Sequence, residues 1–185
     1  DAKYWESVIT IAKPDGSEFR TVSVQGRYFN PTWLRNRNIV FFFKLEGSDA
    51  STQAVYASKI AASVNTEVKV SDPAYSEYGL TSFNDGRILI SSNRSGTKKY
   101  YLFQMNIDSS GNPMPYSSPT QYTLVTTSFT EGSLPAGTQS FVRESVSPDG
   151  TQIAFEADID GSGWTMYDTH LCIADFNMST ATMSN

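Results

Sequence analysis

Ten residues late in the chain, Val146-Ser147-Pro148-Asp149-Gly150-Thr151-Gln152-Ile153-Ala154-Phe155, restrict what it can fold into more than any other stretch. Pro148 holds its own φ at about −65°, and Asp149 and Gly150 complete a tight turn in which glycine takes positive φ at little cost. Ile153, Ala154 and Phe155 then make a short apolar run, the pattern of a strand covered on both faces. A tight turn feeding a buried strand is a hairpin unit, and weaker copies of it recur along the chain.

Ile39-Val40-Phe41-Phe42-Phe43 is the strongest buried-strand signal, and Ile88-Leu89-Ile90 follows the turn Asn84-Asp85-Gly86. Ile39, Ile88 and Ile153 lie 88 − 39 = 49 and 153 − 88 = 65 residues apart, and the longer interval holds the Pro- and Gly-bearing stretches 108–119 and 130–138. Each of these strands is preceded by a short strand and a polar turn, then followed by a turn, a partner strand and an outer strand. Ahead of them, Tyr4–Ala12 and Glu18–Val24 flank Pro14-Asp15-Gly16 as a hairpin with one solvated face. Gln121–Thr126 reads as one further strand. No sustained helical period with caps appears anywhere, so the chain reads as all-β. Four strands per unit at about 40–50 residues is the spacing of propeller blades, although spacing alone also fits a sandwich of short strands.

The residues go further than the spacing. Ser147-Pro148-Asp149-Gly150 with Ile153-Ala154-Phe155, the turn over 158–163 and the strand Leu171-Cys172-Ile173-Ala174-Asp175 together resemble the TolB-type β-propeller repeat. That repeat reads Ser-Pro-Asp-Gly, an Ile-Ala-Phe strand, an Asp/Arg-x-Gly turn and an aliphatic strand ending near Asp. The copy at 82–107 carries Asn84-Asp85-Gly86 for the first turn and Asn93-Arg94-Ser95-Gly96 for the second. The copy at 30–43 keeps Pro31-x-Trp33 and the buried strand and lacks the Asp-Gly turn. The resemblance covers nearly the whole chain in about three units. It implies a β-propeller of four-stranded antiparallel blades, present as an incomplete arc, since propellers close with about 4–8 blades. The expected divisions are 1–26 as outer strands of a preceding blade, then blades over 27–73, 74–130 and 139–185, the last ending soon after its third strand.

Charge and composition narrow the function. The net charge of −5 and the pI near 4.8 argue against nucleic acid, whose phosphates call for a basic patch. One cysteine, Cys172, leaves no internal disulfide, no cysteine zinc site and no c-type haem attachment, and one histidine, His170, excludes a two-histidine metal site. No apolar window is long enough for a transmembrane helix. A start at Asp1 rather than Met, with abundant Ser, Thr, Asn and Gly and few Lys, points to a processed chain that is secreted or periplasmic.

Candidate sites are sparse, and each has a bland reading beside it. Asp158, Asp160 and Ser162 have the spacing that opens a calcium loop, echoed by Asn106, Asp108 and Ser110. The twelfth-position Glu is absent from both, and turns between strands explain both without metal. Arg35 and Arg37 form a small basic run that suits an anion or, more simply, a solvated turn. Trp164, in a Gly-rich turn, is the aromatic best placed to bind a ligand, the others being packing residues between sheets. Asp168 and His170 lack the Gly-x-Ser-x-Gly elbow and the α/β scaffold of a hydrolase triad, so no catalytic residue is assigned. Pro148, Asp149, Gly150, Asp85 and Gly86 read as structural turn residues. The family resemblance implies a non-catalytic module for protein–protein binding or assembly, completed by a protein partner, further copies or remaining chain. The alternatives are the propeller gating domain of a prolyl-oligopeptidase-like serine peptidase, with its catalytic domain elsewhere, and a structural subunit of an extracellular layer or filament.

Overall fold

The computed structural model describes residues 6–23, 25–34, 37–47, 52–60, 67–96, 99–128, 141–158 and 169–184. They fall into two compact units, one within 1–77 and 105–119, the other within 78–104 and 120–185.

The first unit opens with a two-stranded antiparallel ribbon, β1 (Thr10–Ile11) and β2 (Arg20–Thr21), turned at Gly16 with φ of 78°. A four-stranded sheet follows in the order β3 (Tyr28–Leu34), β4 (Ile39–Glu46), β5 (Thr52–Lys59), β6 (Val68–Lys69). The five apolar residues of β4, Ile39 to Phe43, are all buried, because both faces of that central strand are covered. On one face Val40, Phe42 and Tyr28 pack with Ile9, Val22 and Ile60, so the ribbon supplies part of the cover. On the other face Phe29 stacks on Phe43 with centroids 5.2 Å apart. Pro31 has no N–H to give a ladder, and it sits where a sheet tolerates that: on edge strand β3, at a register shift between Phe29 and Thr32. Asn30 beside it takes φ of 48°. The stretch 105–119 belongs to this unit, where Lys59 Nζ donates to the Ser110 carbonyl at 2.5 Å.

The second unit holds two sheets. In the first the order is β7 (Glu77–Ser82), β8 (Ile88–Ser92), β9 (Lys99–Phe103) and β10 (Tyr122–Leu124), with a single 3-10 turn at Pro119–Gln121 leading into β10. The second contains β11 (Thr126–Ser128), β12 (Phe141–Val146), β13 (Gln152–Asp158), β14 (Thr169–Asn177) and β15 (Thr182–Ser184), in the spatial order β11-β15-β14-β13-β12. Phe83, Leu89 and Leu102 from the first sheet share one core with Ile153, Phe155, Ala174, Phe176 and Met183 from the second. Phe83 stacks on Phe176 with centroids 5.0 Å apart. Each of the fully buried Leu, Ile and Phe side chains stabilises the pair of sheets by roughly 1.5–3 kcal/mol.

Ile39, Ile88 and Ile153 begin or nearly begin the second strand of their respective sheets, which is the repeat read from the spacing. Three details differ from that reading. The Gln121–Thr126 strand divides at Val125, whose N–H still bonds to Tyr100 O while Thr126 N–H bonds to Ala181 O in the next sheet. The last sheet runs past its third strand, because β15 and the parallel strand β11 extend its outer edge. Finally, the strand read over Leu171–Asp175 runs from Thr169 to Asn177, which puts His170 inside β14, paired with Ala157. Among the described residues, no helix is long and apolar enough to cross a membrane.

Candidate functional site

The turn carboxylates come first, being the acids most conspicuous in the sequence. Asp149 Oδ1 accepts from Ser147 Oγ at 2.6 Å, from Thr151 Oγ1 at 2.9 Å and from Thr151 N at 3.1 Å. The Ser147 hydroxyl first, then the Thr151 amide and hydroxyl, hold its pKa below the usual carboxylate range. Gly150 follows with φ of 77°, as the turn requires. Asp85 is alike: Arg87 donates its backbone N–H at 3.0 Å and its Nε at 2.7 Å. Burial pushes Asp85 up, and the hydrogen bonds and charge of Arg87 more than offset it, leaving a lowered pKa. Gly86 has φ of 96°. These acids are occupied by their own turns, so they close hairpins and hold no proton to transfer.

The two oxygen-rich stretches fare differently. Asp108 Oδ1 accepts from Ser110 N and Asn112 N at 2.8 Å each, and its Oδ2 accepts from Asn112 Nδ2 at 2.8 Å. Asn106 turns instead to Ser117 Oγ at 2.9 Å. Asp108 thus accepts from N–H donors of its own loop, while Asn106 donates its amide to a serine hydroxyl. Asp158 ends β13 with its backbone paired to Thr169; its side chain, and the whole of Asp160, Ser162 and Trp164, lie outside the described residues. Arg35 is also outside them, while Arg37 is exposed in the turn between β3 and β4, its N–H donated to Leu34 O at 3.1 Å.

Two clusters are ones sequence reading did not find. On one face of the first sheet, Tyr28 OH and Lys44 Nζ each bond Glu67 at 2.7 Å. Tyr56 OH bonds Glu46 at 2.6 Å, and Lys69 Nζ bonds the same carboxylate at 2.5 Å. Lys44 Nζ also lies over the rings of Tyr28 and Tyr56, at 5.3 and 4.8 Å from their centroids. Burial first, and the hydrogen-bonded carboxylates second, raise both phenol pKa values. The six side chains sit at i, i+2 spacing on paired strands, and every charge has a partner, so the cluster ties four strands together.

The second cluster is Glu144, Tyr100 and Gly79 in the other unit. Glu144 is 8% exposed, and neither carboxyl oxygen has a hydrogen bond of ordinary geometry. The Tyr100 hydroxyl faces it without the full geometry of such a bond, and a Cβ at Gly79 would collide with the carboxyl group. Burial drives the carboxyl pKa up to about 7, with its own backbone N–H and Tyr100 opposing the rise. Glycine at 79 was the available signal, but nothing in the sequence connects it to a residue 65 positions on (144 − 79).

Among the described residues, one face of the last sheet exposes large apolar side chains. Leu171 and Ile173 on β14 are 77% and 65% exposed, while Ala174 and Phe176 on the opposite side of the strand are buried. In the preceding sheet Leu102 pairs with Leu89 and Tyr100 with Ser91; in the last, Ile173 pairs with Ala154 and Leu171 with Glu156. Counting from Ile88 and Ile153, which begin matching turn-to-strand passages, Leu102 corresponds to Ile173 and Tyr100 to Leu171. Leu102 and Tyr100 are each 2% exposed.

No protein-family profile matches the chain, and no curated protein matches it. Among solved structures, a puromycin-hydrolysing peptidase of Mycobacterium tuberculosis superposes with a TM-score of 0.51 at 13% identity, over 91% of this chain and 22% of the peptidase. TolB from Acinetobacter baumannii aligns over 95% of this chain and 47% of its own length, with a TM-score of 0.36 at 14% identity. The chain thus spans under half of either protein. At these identities the likeness speaks to architecture alone: the chain is all-β, with four-stranded antiparallel sheets of the β-propeller type beside a two-stranded ribbon and a five-stranded sheet.

Proposed function

We propose that this chain is a run of blades in a larger TolB-like β-propeller, acting outside the cytoplasm as a non-catalytic module for protein binding or assembly. The observation that carries this reading is the exposed apolar face of the last sheet. Leu171, Ile173 and Ala154 occupy the positions by which the preceding sheet is packed against its neighbour, and among the described residues Leu171 and Ile173 stand largely exposed with Ala154 half-buried beside them. Another sheet of the same kind fits such a face, because apolar residues at these positions already bury one sheet on the next within the unit. The turn acids support a role without catalysis, since hydrogen bonds to their own hairpins occupy them.

The similarity to a peptidase favours a second reading, in which these blades belong to the gating domain of a prolyl-oligopeptidase-like enzyme whose nucleophile lies elsewhere. A fluorophosphonate probe, applied to the whole natural polypeptide that contains this chain, separates the two. No labelled serine is expected, and labelling abolished by active-site inhibitors overturns the binding-module reading in favour of the peptidase. Light scattering on the same polypeptide tests the layer-or-filament alternative, which a stable monomer at micromolar concentration eliminates.

A further inference from the structure

We propose that Glu144 makes the seam between the two sheets of the second unit pH-sensitive: the carboxyl group seats when protonated and loosens the seam when ionised. The placement comes from backbone geometry. β12 pairs with β13 through Val142↔Glu156 and then Ser145↔Ala154, so Arg143 and Glu144 together stand opposite Phe155 alone. That two-against-one bulge interrupts the alternation of the strand, a device that re-aims a side chain. Glu144 is thereby carried into the seam, onto the face of the preceding sheet at Gly79 and Tyr100.

The surroundings offer the charged form almost nothing. β7 contributes Gly79, with the buried acid Glu77 two residues before it on the same side of the strand, and β9 contributes Tyr100, the one titratable group acting on the carboxyl from that strand. Ser91 of β8 pairs with Tyr100 and is uncharged, while on β13 Glu156 pairs with exposed Leu171 and shares the opposite face. Among the described residues, no cation is among the influences on Glu144. The collision at a Gly79 Cβ means the carboxyl is packed directly against the backbone there. Ionisation places an uncompensated charge in a dry seam.

The sign follows from the raised folded value. Between the ordinary carboxyl pKa of 4.5 and about 7, the folded chain holds a proton that the unfolded chain has lost. Stability therefore falls as pH rises through that window and levels off above it. This holds whichever partner the chain has, because both sheets of the seam lie within one unit.

The test is thermal unfolding of the chain between about pH 5 and about pH 8.5, for wild type and for Glu144→Gln, which keeps the shape and removes the charge. The wild-type midpoint is expected to fall by several degrees across this range, and the variant is expected to lose most of that slope. His170, the one histidine, has an ordinary pKa inside this range, so His170→Gln serves as a control and should leave the slope intact. Parallel profiles for wild type and Glu144→Gln overturn the proposal, as does loss of the slope in His170→Gln. Should Glu144→Gln fail to fold, amide exchange on wild type decides. After correction for intrinsic rates, weaker protection of residues 77–82 and 141–146 at the higher pH supports the seam, and unchanged protection overturns it.

Discussion

Asp149 and Glu144 stand five residues apart (149 − 144) in one hairpin, Glu144 on its first arm and Asp149 in its turn, and their carboxyl groups have opposite circumstances. Asp149 is exposed, accepts from two hydroxyls and an amide, and has a lowered pKa. Glu144 is buried, lacks a full hydrogen bond, and has its pKa raised to about 7. One stabilises the fold when charged, the other when neutral. An acid prominent in the sequence is thus a solvated turn device, and an unremarkable one within a strand is the electrostatically stressed group.

The contrast can be broken or sharpened by substitution. The largest effect is expected from Glu144→Leu, which removes the ionisable group from the seam altogether. A carboxyl raised from 4.5 to about 7 costs the folded state about 3 kcal/mol at alkaline pH. The variant should gain an amount of that order near pH 8 in urea unfolding and much less near pH 5, and equal gains at both would contradict the electrostatic origin. Next is Gly79→Ala, whose methyl group must displace the Glu144 carboxyl. Overpacking of this kind costs about 1–3 kcal/mol. Most of that loss should vanish in a Glu144→Ala background, because the obstacle is then gone; additive losses would separate the two residues.

Asp149→Ala is expected to have a smaller effect, with the reverse pH dependence. Its folded pKa is lowered, so its contribution is present above 3.8 and disappears as pH falls through the lower folded value. A difference between wild type and Asp149→Ala that persists unchanged in strong acid would rule this out. Smallest of all is Leu171→Ser with Ile173→Ser, on the exposed apolar face. Exposed substitutions away from the core change stability by about 0.5 kcal/mol or less each, and a loss of several kcal/mol would mean the face is covered after all.

What sequence could convey divides along the same physical lines. The buried run Ile39–Phe43 and the turn-to-strand passage through Asp149 and Gly150 are legible because local chemistry dictates them: an apolar run needs cover, and a tight turn needs glycine. Glu144 is illegible because Phe141-Val142-Arg143-Glu144-Ser145-Val146 reads as a half-solvated strand, and only the bulge opposite Phe155 turns the acid inward. The exposure of Leu171 and Ile173 is hidden too, since an aliphatic strand reads as core whether or not its cover is present. Strands β11 and β15 escape notice because Thr126-Thr127-Ser128 and Thr182-Met183-Ser184 are mostly hydroxyl residues, held by ladder bonds rather than by apolar pattern.

Strand β11 also bears on the order in which the chain is made. It leaves one sheet at Val125 and pairs in parallel with β15, joining Thr126 to Thr182 across 182 − 126 = 56 residues. During synthesis from the N-terminus, β11 emerges well before its partner exists. Until residues 182–184 follow it from the ribosome, the outer edge of the last sheet stays unfinished and its backbone groups are open to other strands. Closing so distant a pairing is entropically slow. The short strand Thr182–Ser184 therefore sets when β11 finds its place in the last sheet, and truncation before Thr182 would leave the outer edge of β14 unpaired.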